Sequence, residues 1–213
     1  MDGPLLEGRV IYSIGEMFGF VSKLGKILES SKVPYLRSKK VAKLLKDLTV
    51  SEFTEVVRAM PLMKGATQTV KRLKEKNYKI GIISDSYTQA TEIVARRLGM
   101  DFNVANTLEV KNGIFTGLLK MPMGWQKIGC SCRQSVCKRY HLIHMAKRYE
   151  VYPSNTVAVG DSMADFCMIE RAGIGIWFNP VDRNILRNAN YKVHGKDLRL
   201  ILDYLKEPLF IPQ

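Results

Sequence analysis

The pattern of hydrophobic and polar residues changes character near Met60. From Val10 to Ser30 the apolar residues recur at helical spacing, which predicts helix, although three glycines weaken the prediction. A short basic helix is predicted over 39–47. Thr49 followed by Glu52 has the spacing of a capping box and predicts a helix that runs to Met60. We therefore expect residues 9–60 to form a small helical unit.

After Met60, short apolar runs alternate with amphipathic stretches. The runs predict buried strands, and the stretches between them predict helices over 65–77, 88–98, 135–149 and 162–171. The strands are predicted at 79–83, 102–106, 156–159, 174–178 and 191–193. Asn112-Gly113, between 108–110 and 114–116, predicts a hairpin. This alternation predicts an α/β fold with a doubly wound, Rossmann-like parallel sheet. The predicted core comprises residues 1–8 and 61–213, and the predicted helical cap comprises residues 9–60.

Two carboxylates follow the apolar run Val157–Val159. Gly160 permits a sharp turn, Asp161 then stands at the carboxyl end of the strand, and Asp165 is expected to project back towards it. Oxygen ligands of this kind suit Mg²⁺. Alternatively, Asp161 caps the next helix and Asp165 supports its first turn.

Two further candidate site residues are predicted to lie near Asp161. Ser84 follows the strand 79–83, and Lys138 lies near the start of a helix. A hydroxyl, an ammonium and a metal-binding carboxylate that converge on one crevice form a phosphate site.

Charge and cysteine content narrow the class of partner. The 213 residues carry a net charge of +13, which favours anionic partners. The basic residues are spread along the chain without a nucleic-acid-binding motif, so a phosphorylated metabolite is favoured over DNA or RNA. Charged residues interrupt the apolar stretch from Val10, so neither a membrane span nor a secretory signal is predicted. Four cysteines without an export signal indicate the cytoplasm.

Seven short motifs occur in an order that is specific to one family. With them the sequence resembles the haloacid dehalogenase-like phosphatases, and among these the phosphoserine phosphatase group. The motifs are Leu45-Lys46-Asp47-Leu48, Gly65-Ala66 with Leu73, Ile82-Ile83-Ser84, Arg97-Leu98-Gly99, Ala105-Asn106, Gly113-Ile114-Phe115-Thr116-Gly117 and Ala158-Val159-Gly160-Asp161. The resemblance implies a Mg²⁺-dependent phosphomonoester hydrolase that acts on a small phosphorylated metabolite.

The resemblance also implies roles for individual residues. A first-strand aspartate attacks phosphorus to give an aspartyl-phosphate, and a second aspartate, here Asp2, acts as general acid and base. Ser84, with Asp85 beside it, would bind a phosphate oxygen. Lys138 would neutralise the phosphate and the nucleophile. The implied metal ligands are Asp161, Asp165 and Asp2.

The resemblance places the nucleophile two positions before Asp2, on a strand between those that end at Ser84 and Asp161. Both lie before Met1, so we expect the central first strand to be missing and the start to fall inside the first motif. A start assigned to an internal methionine, a shortened chain and a loss of activity are the three explanations, of which the first two are favoured because the other motifs are intact. The chain as written is expected to be inactive and poorly stable, and about ten upstream residues to restore both.

Other departures from the family bear on the substrate. Arg9 stands where the phosphoserine group has an amine-binding glutamate, and it would attract a carboxylate or a second phosphate unless it is merely a surface residue at the cap hinge. Lys39, with Arg37 close by, falls where the family has a carboxylate-binding arginine. Ser84-Asp85-Ser86-Tyr87 resembles the phosphoserine:homoserine phosphotransferase branch. Transfer to an alcohol, a non-catalytic phosphate-binding relative and a nucleic-acid binder therefore remain alternatives to hydrolysis.

Cys130, Cys132 and Cys137 lie in an insertion before Lys138 and could bind Zn²⁺, with His141 and His144 following on one helix. The spacing is not a standard zinc motif, so simple packing is the alternative. Cys167 is expected to be a core residue.

Overall fold

The computed structural model describes residues 1–181 and 190–205. The last part of the predicted core, residues 206–213, lies outside the described residues. The helical N-terminal part has four helices, and a 3-10 turn, Lys43–Leu45, follows the third. They are α1 (Val10–Phe18), α2 (Val21–Glu29), α3 (Pro34–Ala42) and α4 (Val50–Ala59).

Two boundaries in this part differ from the prediction. The stretch 10–30 is two helices, because Gly19 adopts φ +74 and its N–H caps the end of α1 by donating to the carbonyl of Gly15. The basic helix begins at Pro34 instead of residue 39, since proline fits the first helical position, where no N–H partner is needed. The capping box at α4 is present, with Thr49 and Glu52 in both of its hydrogen bonds.

The first sheet contains β1 (Gly81–Tyr87), β2 (Phe102–Lys111) and β3 (Ile114–Lys120), preceded by α5 (Ala66–Glu75) and with α6 (Thr88–Leu98) between β1 and β2. β1 runs parallel to β2, and β2 and β3 form the antiparallel hairpin predicted from Asn112-Gly113. Both turn residues have positive φ, as a tight hairpin turn requires. The segments 102–106 and 108–110, which were predicted separately, form one strand, because the hairpin pairing continues β2 to Lys111.

β1 extends beyond its predicted end. Its register against β2 shifts between Ile83 and Tyr87, so Ser84 and Asp85 lie in an irregular part of the strand. Such irregularities redirect side chains near functional sites. This one brings both residues to the cleft described below.

The second sheet contains three parallel strands, β4 (Val157–Gly160), β5 (Ile174–Phe178) and β6 (Tyr191–Val193). α7 (Lys138–Arg148) precedes it, beginning later than predicted because Val136 still bridges to Met123. The predicted helix 162–171 is a 3-10 turn, Met163–Asp165, followed by the short α8 (Phe166–Ile169). A 3-10 helix, Leu198–Tyr204, lies near the end of the described residues.

These elements form an α/β fold with a Rossmann-like core of parallel strands. The sheet orders are β1-β2-β3 and β4-β5-β6. Within residues 1–181 and 190–205, no strand pairing joins β1 to β4. The sequence predicted a doubly wound sheet, and the described part of the chain forms it as two three-stranded halves.

The main hydrophobic core joins the N-terminal helices to both sheets. Leu6, Ile14 and Leu45 are fully buried, and they belong to the same cluster as residues of β1, β2 and β5. The helical cap therefore shares a core with the α/β part of the molecule. In the described part of the chain, no helix combines the length and the apolar character that crossing a membrane requires.

Phe53 provides a test of that shared core. It is fully buried, and its ring makes edge contacts with Tyr87 and Phe115 at centroid distances of 6.0 and 5.3 Å. Phe53→Ala is expected to lower the free energy of unfolding by about 3–5 kcal/mol, measured by urea denaturation, because it leaves a cavity between α4 and the first sheet. Leu118→Ala, at a residue 59% exposed on β3, is the control and should change stability by less than about 0.5 kcal/mol. Equal effects of the two substitutions would contradict a shared core.

Candidate active site

A cleft of about 420 Å³ lies where the helical cap meets the ends of both sheets. Four segments of the α/β part contribute polar side chains to it, and the cap contributes basic, hydroxyl-bearing and apolar ones. The polar lining residues from the α/β part include Asp2, Ser84, Asp85, Gln134, Lys138 and Asp161; those from the cap include Arg9, Tyr12, Arg37 and Ser38. The structure thus brings together most of the site residues that the sequence predicted.

The irregular end of β1 holds Ser84 in a fixed orientation. Ser84 is 2% exposed, and its hydroxyl oxygen accepts a hydrogen bond of 3.1 Å from the backbone N–H of Ser86. The buried amide of Asn106 donates to the backbone carbonyl of Asp85 at 2.6 Å. The hydroxyl hydrogen of Ser84 remains available to a ligand in the cleft.

Lys138 is the first residue of α7 and is 3% exposed. Its ammonium donates to Oδ1 of Asp165 at 2.5 Å and lies 3.8 Å from Oδ1 of Asp85. Burial works against the charge of Lys138, but the neighbouring carboxylates outweigh it and raise the pKa. Lys138 therefore presents a permanent positive charge to the cleft.

Asp165 lies behind the cleft and is not among its lining residues. Its Oδ2 accepts from the backbone N–H groups of Asp161 and Ser162 at 3.2 and 3.1 Å, and from the Ser162 hydroxyl at 3.1 Å. Burial alone would raise its pKa, but Lys138 and these donors lower it. Ser162 and Asp165 also form a capping box. The capping alternative is therefore confirmed for Asp165 and wrong for Asp161, because Ser162 is the capping residue.

Gly160 matters for the position of Asp165 in a way that the sequence did not indicate. A Cβ at residue 160 would lie 2.4 Å from the Cβ of Asp165. The glycine therefore provides room for Asp165 to fold back over the end of β4, in contact with Lys138 and the backbone of Asp161.

Asp161 faces the cleft with its side chain 14% exposed. Burial, together with the nearby charge of Asp165, raises its pKa from 3.8 to about 6. Gly3, at φ +88, lies against it, and a Cβ there would be 2.5 Å from Asp161 Oδ2. Arg9 approaches the same oxygen to 3.9 Å.

Asp2 is the second acid of the cleft with a raised pKa. Burial raises the value from 3.8 to about 6, and the charges of Asp85 and Asp161 act in the same direction. Its Oδ1 is buried without a hydrogen-bond partner. Asp2 and Asp161 are therefore the residues that could hold a divalent cation, since a cation would supply the missing partner and remove the cost of ionising both acids.

The structure separates the two basic residues predicted on the cap. Arg37 lines the cleft, whereas Lys39 lies outside the lining with its ammonium 6.0 Å from the centre of the Tyr35 ring. Helix α3 begins at Pro34, so Pro34, Arg37, Ser38 and Val41 share one face, and all four line the cleft. The predicted helix started at residue 39, so the helical spacing of Pro34, Arg37, Ser38 and Val41 was not recognised.

Cysteine side chains form a second cluster beside the cleft. The sulfur atoms of Cys130, Cys132, Cys137 and Cys167 all lie within 4.8 Å of one another. Cys167, expected to be a core residue only, completes the cluster from α8. His141 and His144 do not belong to this group in the described part of the chain.

Comparison with known proteins identifies the class that this fold and cleft define. Residues 30–170 match the haloacid dehalogenase-like hydrolase family, and the chain belongs to it. Two of the relatives that match nearly the whole chain are phosphoserine phosphatases. That of Archaeoglobus fulgidus is 31% identical over 98% of this chain and 59% of its own length. That of Methanocaldococcus jannaschii is 28% identical over 96% of this chain and 94% of its own length.

The solved structures agree with this grouping. A phospho-aspartyl intermediate analogue of phosphoserine phosphatase superposes with a TM-score of 0.83 at 28% identity, covering 97% of this chain and 96% of its own. The chain thus falls in the phosphoserine phosphatase-like group of the family, while it spans 59% of the Archaeoglobus relative.

The raised pKa of Asp161 predicts a stabilising substitution. Ionisation of a carboxyl whose pKa is about 6 when folded and 3.8 when unfolded costs folding free energy above pH 6, and this cost is absent below pH 3.8. Asp161→Asn is therefore expected to raise the free energy of unfolding at pH 7 by about 1–3 kcal/mol, at about 1.4 kcal/mol per pKa unit. The gain should disappear as the pH falls to 4.

Urea unfolding at pH 7 and pH 4 measures this difference. Asp203→Asn, at an exposed residue, is the matched control and should have little effect at either pH. Lower stability of Asp161→Asn at pH 7, or a gain that is the same at both values, would contradict the assignment.

Proposed function

We propose that this chain is a phosphomonoester hydrolase of the phosphoserine phosphatase type, acting on a small phosphorylated metabolite. One observation carries the proposal: a hydroxyl, a permanent ammonium and two acids with raised pKa values face the same cleft in a member of this hydrolase family. The names of the relatives support a phosphomonoester as substrate.

Ser84 and Lys138 are proposed to bind the phosphoryl group. Ser84 can donate its hydroxyl hydrogen to a phosphate oxygen, and Lys138 supplies charge to a site that is otherwise rich in carboxylates. The hydrogen bond from Lys138 to Asp165 fixes the ammonium before the substrate arrives. Preorganised charge of this kind favours the transition state, because little reorganisation is needed during the reaction.

Asp161 and Asp2 are proposed to hold Mg²⁺. Their fit rests on the unpartnered Oδ1 of Asp2 and on the raised pKa values of both acids. When bound, Mg²⁺ would offset the negative charge of the phosphoryl oxygens. Asp165 is proposed to act through Asp161 and Lys138, since its Oδ1 accepts a hydrogen bond from Lys138 and its Oδ2 accepts one from the backbone N–H of Asp161.

Asp2 is proposed as the general acid and base. The resemblance implies this role, in which the carboxyl donates a proton to the leaving oxygen and afterwards accepts one from water. It requires that the oxygen of Asp2 that exchanges the proton is not bound to the cation. The aspartyl-phosphate intermediate is a prediction from the family resemblance, in which the nucleophile precedes Asp2 by two positions.

The rest of the substrate is proposed to carry a carboxylate. Arg9 and Arg37 bring positive charge to the cap side of the cleft, and no acidic residue of the predicted cap is among the described lining residues. Guanidinium groups bind carboxylates well and would repel an ammonium. The cap, residues 9–60, is proposed to close over the substrate and exclude bulk water.

The role of Asp2 can be tested by turnover. Each proposed activity assay uses a form of the protein that also carries the first-strand aspartate, because the resemblance assigns the nucleophile to that residue. Asp2→Asn is expected to lower kcat for O-phosphoserine or phosphoglycolate by about 100- to 10,000-fold in the presence of Mg²⁺, because asparagine cannot exchange the proton. Phosphate release measures the rate. Glu7→Gln, at an exposed residue outside the cleft lining, is the matched control and should retain full activity.

Two further outcomes distinguish the alternatives. Phosphate binding without turnover by the form that carries the first-strand aspartate would contradict a hydrolase and identify a phosphate-binding relative. Transfer of the phosphoryl group to added homoserine in preference to water would favour the phosphotransferase that Ser84-Asp85-Ser86-Tyr87 resembles.

Arg37 and Lys39 provide a matched test of substrate class. Arg37→Ala is expected to raise KM for phosphoglycolate about tenfold or more, since it removes a charge-assisted hydrogen bond, and to leave KM for phosphoethanolamine unchanged. Lys39→Ala, on the same helix but outside the cleft, should alter neither value. A larger effect of Lys39→Ala, or a preference for phosphoethanolamine, would contradict a carboxylate-bearing substrate.

A further inference from the structure

We propose that Cys130, Cys132, Cys137 and Cys167 bind a single Zn²⁺ ion as a structural site beside the cleft. The inference stands on the convergence of four side chains from two distant parts of the sequence. Three come from the insertion before α7, and the fourth comes from α8, after the loop that carries Asp161.

The distances suit one tetrahedral ion. All four sulfurs lie within 4.8 Å of one another. Zinc–sulfur bonds of about 2.3 Å in a tetrahedron place the sulfurs about 3.8 Å apart, so small movements suffice to close the site. A disulfide would involve only two of these sulfurs, and an iron–sulfur cluster would need more space between them because iron and sulfide ions lie inside it.

The surroundings suit thiolate ligands. Cys130, Cys137 and Cys167 are buried, and Trp125, Ile128 and Tyr140 pack around the cluster and shield it. The cluster lies at the N-terminus of the 11-residue helix α7, where free N–H groups and the helix dipole stabilise negative charge.

The insertion contains little regular secondary structure. Between β3 and α7 its regular structure is one 3-10 turn, Trp125–Ile128, in a segment that the structure describes throughout. Met123 and Arg133 adopt positive φ without being glycine. Ordering such a segment costs conformational entropy, and a metal that binds only the folded chain offsets this cost.

The position of the cluster links it to the cleft. Cys137 directly precedes Lys138, and Cys167 follows Asp165 by two residues, so an ion bound by both would fix the two sides of the Lys138–Asp165 ion pair. Gln134, from the same insertion, lines the cleft. The ion is therefore proposed to position the phosphate-binding ammonium without contacting the substrate.

Metal content is the primary test, and it requires no catalytic activity. Protein purified under reducing conditions should contain about one zinc per chain by mass spectrometry of the metal. Cys167→Ser should lower this to near zero. His144→Ala, on α7 and outside the group of four sulfurs, should retain it.

The unmodified chain provides a second measurement in case Cys167→Ser fails to fold. Replacing zinc by Co²⁺ should give the intense sulfur-to-cobalt charge-transfer absorption of a tetrahedral thiolate site, and stripping the metal with a chelator should lower Tm. Mg²⁺ is kept in excess throughout so that loss of the catalytic ion does not imitate loss of zinc.

Three results would overturn the proposal. They are zinc retained in full by folded Cys167→Ser, iron as the resident metal, and disulfides among these cysteines in protein kept under reducing conditions. A chain with zinc but without phosphatase activity would contradict the proposed function alone.

Discussion

The buried ion pair between Lys138 and Asp165 is the interaction on which the cleft depends. Both residues are almost inaccessible to solvent, so neither charge is tolerable without the other. Removing one partner from such a pair costs about 3–5 kcal/mol in proteins, because an uncompensated charge remains. The pair joins the start of α7 to the turn after β4, and its geometry fixes the position of the Lys138 ammonium relative to Asp161.

The same pair explains the electrostatics of the neighbouring acids. Lys138 keeps Asp165 ionised, and that fixed negative charge, after burial, is the next cause of the raised pKa of Asp161. Asp2 and Asp85 add further carboxylates within reach. The cleft therefore holds more negative charge than its one buried lysine can neutralise. This excess of carboxylates lowers the stability of the fold. It suits cation binding, because a bound cation would relieve the repulsion between the carboxylates.

The residues that line the cleft come from the ends of both sheets and from the N-terminal helices. The irregular end of β1 supplies Ser84, the turn after β4 supplies Asp161, and helix α3 of the cap supplies Arg37. The insertion before α7 joins β2 to helix α3, because the Ser135 hydroxyl oxygen accepts hydrogen bonds from the side chains of Asn106 and Ser38. A cysteine cluster that anchors this insertion therefore lies at the junction of cap, sheet and cleft.

The sequence by itself determined what depends on neighbouring residues. Apolar periodicity located the strands and most helices, Thr49 and Glu52 set the start of α4, and Asn112-Gly113 set the hairpin, because these signals act within a few residues. The placement of Ser84, Lys138 and Asp161 near strand and helix ends was predictable for the same reason.

Only the tertiary structure decided the contacts between distant segments. Four features depend on packing across the fold. They are the register shift in β1, the inward position of Asp165, the presence of Arg37 instead of Lys39 in the cleft lining, and the proximity of Cys167 to the other cysteines. Local pattern cannot specify these, because the free energy that selects them comes from burial and charge compensation between residues far apart in the chain.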